Sequence, residues 1–110
     1  MKFIDRTIEI LQTYGWCTGT FHDERGRYCV VGAMRKARNE AIDGGRGSEE
    51  YVRARAAFEK LIMEEQRQAG AVDLMDAMGW NDNIAPDADA VLHMLKRAGE
   101  QVDLAAERVS

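Results

Sequence analysis

The sequence predicts a mainly α fold: a single compact domain over residues 1–110, with about five helices and one short β-hairpin at about 17–28. Three observations carry that expectation. Apolar residues recur at spacings of three and four through most of the chain. The period breaks between 17 and 28, where Thr18, Thr20, Phe21 and Tyr28 flank the turn-forming run Asp23-Glu24-Arg25-Gly26. And 110 residues, 45% hydrophobic and 31% charged, suffice for one core and differ from a disordered composition.

The first helix is expected over residues 3–14, where Ile4, Ile8 and Leu11 form a stripe that Phe3, Ile10 and Tyr14 widen. Gly15 stands where a left-handed C-terminal residue belongs, and Trp16 follows it, placed to pack back on Leu11. The same grammar recurs at Met75, Gly79 and Trp80, so both tryptophans read as helix-stop anchors. Within the hairpin, a four-residue turn sets Phe21 opposite Tyr28 as an aromatic cross-strand pair. Helical period returns at about Cys29, with Val30, Met34, Ala37 and Ala41 on one side and the small residues Gly32 and Ala33 beside them.

Asp43-Gly44-Gly45-Arg46-Gly47 reads as a flexible connector, and Ser48 as the cap of a long helix with Glu49 and Glu50 in its first turn. Tyr51, Ala54, Phe58, Leu61, Ile62 and Met63 supply that helix with an apolar side, and Ala69-Gly70 ends it. A short helix is expected from Val72 to Met78, followed by the polar loop Asn81-Asp82-Asn83. Asp87, after the only proline, caps a last helix with the stripe Val91, Leu92, Leu95, Ala98 and Val102, and the tail after about Leu104 is expected to fray.

Charge is segregated. Residues 1–24 carry two basic and four acidic groups, residues 25–60 nine and five, residues 61–110 four and ten, which together give the net −4. A nucleic-acid binder concentrates basic residues on an overall basic chain, so nucleic-acid binding is not expected here. No apolar run approaches the roughly 18–20 residues that span a bilayer, and Asp5 and Glu9 interrupt the stretch an export signal would need. A cytoplasmic protein with reduced thiols is the expectation.

Few constellations carry chemistry. Cys29 sits where a helix begins, a position that can stabilise a thiolate, and His22 and His93 are the only imidazoles that could serve it. The alternative to a reactive thiol is a small buried hydrophobe beside Val30 and Val31. Cys17, His22, Cys29 and His93 lack the close ligand pairs of structural zinc sites, so no metal is expected. Asn81-Asp82-Asn83 with Asp87 and Asp89 lacks the glycine and glutamate of a calcium loop. The Gly-rich stretch has no lysine followed by serine or threonine, so it is no phosphate cradle, and no cofactor is expected.

Gly15-Trp16-Cys17-x-Gly19, then Asp23 and Gly26, then Cys29-x-x-Gly32-Ala33-Met34, then Trp80-Asn81-Asp82 and a closing helix with Val91 and Ala98 together resemble a family of small actinobacterial and actinobacteriophage proteins, a domain of unknown function. Met34 stands where that family usually has leucine, and the loop between the cysteine motifs is shorter here than in many members. The resemblance implies a bacterial or phage cytoplasm and a compact, mostly helical fold; it brings no activity and no catalytic residue.

Two functional readings follow. The first is a non-enzymatic interaction module acting on a host or viral protein, with a homo-oligomer as a further form, in which Arg35, Arg38, Arg53 and Arg55 steer the encounter. The second is a small thiol-dependent enzyme or small-molecule binder centred on Cys29 with His22 or His93.

Overall fold

The computed structural model describes residues 1–41 and 47–109. Five helices follow one another: α1 (Lys2–Tyr14), α2 (Val30–Glu40), α3 (Gly47–Gln68), α4 (Ala77–Asn83) and α5 (Ala88–Val109). α3 packs along α5 and α1 along α2; α1 also meets α5, and α2 meets α3, so the four longer helices share one core. The short α4 leans on α2 and α3. Phe58, Ile4, Ile10, Met34, Ile62 and Leu95 fill the centre, and Trp80 joins them edge-on to Phe58 with ring centroids 5.6 Å apart.

The expected stripes are the buried ones. α1 turns Phe3, Ile4, Ile8, Ile10 and Leu11 inward, and α2 turns Val30, Val31, Ala33, Met34 and Ala37 inward. Gly15 ends α1 with a positive φ of 96°, and its amide donates to the Leu11 carbonyl at 2.9 Å. Its ψ of 166° is extended, so the left-handed ending expected there does not form and the chain departs straight into Trp16. The paired bonds of a Schellman ending occur at α3 instead, where Gly70 (φ 84°) donates to Arg67 and Ala71 donates to Gln66, both at 3.0 Å. Asp87 caps α5 as expected, accepting from the Ala90 amide at 2.9 Å. Ser48 lies inside α3, which begins at Gly47; most of the expected Gly-rich connector falls on residues 42–46, outside the described residues.

The β-hairpin expected at 17–28 is not present. Among the described residues there is no strand, only two single-residue bridges that share Tyr28: one parallel to Trp16, one antiparallel to His22. The loop's own side chains divert the bonds a ladder would need. Asp23 accepts from the Arg25 and Arg27 amides at 3.1 and 2.8 Å and from the Arg27 guanidinium at 2.6 Å. After Tyr28 only Cys29, whose amide bonds the Phe21 carbonyl, precedes α2, so the pairing cannot extend into a ladder. His22, not Phe21, lies against the Tyr28 ring, at 4.7 Å.

The 71–83 region also differs from expectation. Residues 71–76 are irregular, and Gly79 and Trp80 lie inside α4 rather than ending a helix. Asp76 caps α4 by accepting from the Gly79 amide at 2.9 Å, which starts the helix five residues later than Val72. That start turns Ala77, Trp80 and Asn81 toward the core.

Candidate functional site

The residues between α1 and α2 are held from below by α4, and one side chain does most of the holding. Asn81 is fully buried. Its Oδ1 accepts from the Trp16 indole N–H at 2.7 Å and from the Val30 amide at 3.0 Å. Its Nδ2 donates to the Cys17 carbonyl at 3.1 Å and to Asp82 Oδ1 at 2.9 Å. All four hydrogen-bonding positions of the amide are thereby used. Asp82 Oδ1 also accepts from the Gly19 amide at 3.0 Å. The motif residues Trp16, Cys17, Gly19, Asn81 and Asp82 thus form one closed polar clasp, and among the described residues no buried side-chain polar atom is left unpaired.

Cys29 is the N-cap of α2, with its Sγ accepting from the Gly32 amide at 3.3 Å, as a thiol at a helix start would. It is also completely buried, and burial pushes the thiol up, opposed by the Gly32 and Val31 amides and reinforced by the Asp82 charge. Burial raises the Cys17 thiol too, with Asp23 adding to the effect. Cys17 donates weakly to the Arg27 carbonyl at 3.4 Å. His22 is exposed on the loop and His93 is exposed on α5. No hydrogen bond among the described residues joins either imidazole to Cys29.

Above the clasp, an open cleft of about 540 Å³ runs along α2. Gly32, Arg35, Lys36 and Asn39 form its floor at helical spacings of three, four and seven, and Phe21, His22 and Tyr28 of the loop form its bank. Gly32 is what lets bank and floor meet: a β-carbon there would lie 2.0 Å from the Phe21 carbonyl oxygen. That carbonyl accepts from the Cys29 amide at 3.2 Å, which anchors the bank to the start of α2.

The cleft is cationic. Among the described residues, Arg35, Lys36 and Arg38 face a single lining carboxylate, Glu40. Glu40 is engaged by Arg6 from α1 through two bonds at 2.7 and 2.9 Å, and Arg6, helped by Lys36, holds its carboxyl below the usual range. The Lys36 ammonium is 3.4 Å from the same carboxylate and 5.5 Å from the Tyr14 ring centroid. Arg35 is exposed, lies 4.6 Å over the Phe21 ring, and has no carboxylate partner among the described residues. Its guanidinium makes no hydrogen bond among the described residues, so its N–H groups are free for a planar anion.

The four arginines expected to bind a partner divide. Arg35 and Arg38 line the cleft. Arg38 lies 4.9 Å over Tyr51, whose hydroxyl accepts from Arg55 at 2.8 Å, so Tyr51 joins Arg38 to Arg55. Arg55 is itself held by Glu59 at 2.7 Å. Arg53 is exposed on α3 and does not line the cleft. Sequence reasoning missed Lys36 and the aromatic bank; the spacing of Gly32, Arg35, Lys36 and Asn39, opposite the Val30–Met34–Ala37 stripe, was the available signal.

Residues 2–101 match a family described as a family of unknown function, DUF6197. The chain belongs to that family. No curated protein and no solved structure matches the sequence. Membership in DUF6197 covers all of α1 to α4, both halves of the clasp, the cleft and most of α5. No helix among the described residues is long and apolar enough to cross a membrane.

Proposed function

We propose that this DUF6197 protein is a non-enzymatic interaction module whose α2 cleft receives an acidic segment of a partner protein, in the cytoplasm of an actinobacterium or of a phage-infected host cell. The observation that carries the reading is Arg35: an exposed guanidinium over an exposed aromatic ring, in a cleft whose one lining carboxylate among the described residues already has a partner. A carboxylate of the partner takes the free edge of Arg35, and an apolar neighbour covers Phe21 and Tyr28. Arg38 and Lys36 add to the field that draws an acidic surface in. Arg53 and Arg55 extend the positive surface onto α3, Arg55 with less effect because Glu59 offsets its charge.

The experiment is affinity capture from an actinobacterial lysate with the wild type and with R35E/R38E, followed by quantitation of each recovered protein. The expected result is one acidic protein retained near one-to-one by the wild type, lost at about 0.5 M salt, where screening shortens to a few ångström, and absent from the double variant. Equal recovery by the two proteins at both salt concentrations overturns the proposal.

A further inference from the structure

The acidic half of the chain displays a segment with the chemistry the cleft is suited to hold. Between α3 and α4 the loop of residues 71–76 projects Val72, which is 93% exposed, next to the exposed Asp73, with Met75 39% exposed beyond them. The loop is not slack. The buried side chain of Gln66 clamps it from both sides, donating to the Met75 carbonyl at 2.8 Å and accepting from the Met75 amide at 2.7 Å. The Schellman bonds at Gly70 fix one end and the Asp76 cap fixes the other. An apolar side chain and a carboxylate are thereby held out from the surface in a set conformation, which lowers the ordering cost of docking. Asp73 makes no hydrogen bond or ion pair among the described residues.

We infer that this loop docks into the α2 cleft of a second copy of the chain, with Asp73 on Arg35 and Val72 against Phe21 and Tyr28. The inference rests on the reading of the cleft as a binding face for acidic segments. Charge complementarity selects the occupant: the cleft lining carries Arg35, Lys36 and Arg38 against Glu40, and residues 71–76 carry Asp73 and Asp76 with no basic residue. The two surfaces share no residue, so each contact pairs unlike surfaces: two reciprocal contacts close a symmetric dimer, and one contact alone joins the copies head-to-tail. A pair joined by a single contact keeps one free cleft and one free loop between its two copies and adds further copies as concentration rises. A contact of one loop and one cleft is small, and its affinity belongs to the weak range.

Sedimentation velocity and light scattering from about 10 μM to about 1 mM, the range of weak affinities, test this with the wild type, R35E, D73K, and an equimolar mixture of the two variants. The wild type is expected to rise above the 12.4 kDa of one chain and to fall back at about 0.5 M salt. Each variant alone is expected to stay at one chain. The mixture regains association, because it contains the native loop of R35E and the native cleft of D73K. A wild type that stays at one chain throughout, a single variant that still associates, or a mixture that does not, overturns the inference. Partner capture separates this failure from that of the proposed function: D73K leaves the cleft intact and retains the partner, whereas R35E/R38E does not.

Discussion

Replacing Asn81 by alanine removes four hydrogen bonds at once, and the structure says which of them are expensive. The Trp16 indole is half-buried and Asp82 is partly exposed, so both can recover water. The Val30 amide and the Cys17 carbonyl cannot, since both of their bonds to Asn81 lie in the interior. A buried backbone group left unpaired costs about 1–3 kcal/mol, so the two together cost about 4 kcal/mol. Against a domain stability of about 5–15 kcal/mol that is a large fraction. Urea unfolding followed by tryptophan fluorescence reports on it, since Trp16 and Trp80 flank the site; the midpoint is expected to fall with little change in slope. Asn81→Asp sharpens the argument. The carboxylate keeps both acceptor bonds but turns an oxygen toward the Cys17 carbonyl and Asp82, which raises the new group's pKa in the folded state. A raised folded pKa means that the folded form holds its proton to higher pH, so the variant's deficit shrinks as pH falls from neutral to about 4, where the protonated acid again donates. An N81A loss under about 1 kcal/mol, or an N81D deficit independent of pH, would refute the clasp.

Three further outcomes are expected. Gly32→Ala gains up to about 1 kcal/mol of helix propensity but drives a β-carbon to 2.0 Å from backbone at Phe21, so thermal unfolding should show a net loss of about 2 kcal/mol; a stabilised variant contradicts the close approach. Both thiols, buried and raised, should react with an aromatic disulfide reagent at neutral pH at least roughly 100-fold more slowly in the native protein than in denaturant, where two thiols titrate; fast native labelling mapped to Cys29 would favour the thiol-enzyme reading instead. Glu40, held low by Arg6, contributes stability that is present above its unfolded pKa and lost as pH falls through its folded one. Because the pair is about one-third exposed, the contribution is at most about 1 kcal/mol, and the stability difference between wild type and E40Q should shrink steadily as pH falls through and below the usual carboxylate range; a difference that grows toward acid pH contradicts the assignment.

What the sequence disclosed was what depends on near neighbours. The stripes of α1, α2 and α5, the Asp87 cap, the glycine end of α3 and the place of Cys29 at a helix start all follow from residues within a turn or two of one another. Asn81 shows why the rest was hidden. Asn81-Asp82-Asn83 has the composition of a polar turn, and it is the Trp16 indole, the Cys17 carbonyl and the Val30 amide, more than fifty positions away, that make burying Asn81 favourable. The loop misled for a related reason: Asp23 takes up backbone donors that a hairpin ladder would have used. Arg35 and Arg38 were visible as charges, but Arg55 was not visible as an arginine already held by Glu59 and Tyr51. The cleft needed both facts that sequence withholds, the fold of the loop over Gly32 and the capture of Glu40 by a residue of α1.

The central claim is that the α2 cleft takes acidic segments, and amide NMR of the uniformly labelled protein tests it most directly. The titrant is a soluble peptide rich in glutamate and bearing one tyrosine, with a lysine-rich peptide of the same length as its counterpart. The account predicts saturable shifts confined to Phe21, His22, Tyr28, Arg35, Lys36 and Asn39 with the acidic peptide, abolished by R35E and absent with the basic one. Shifts centred on α5, or the same weak shifts with both peptides, would contradict it.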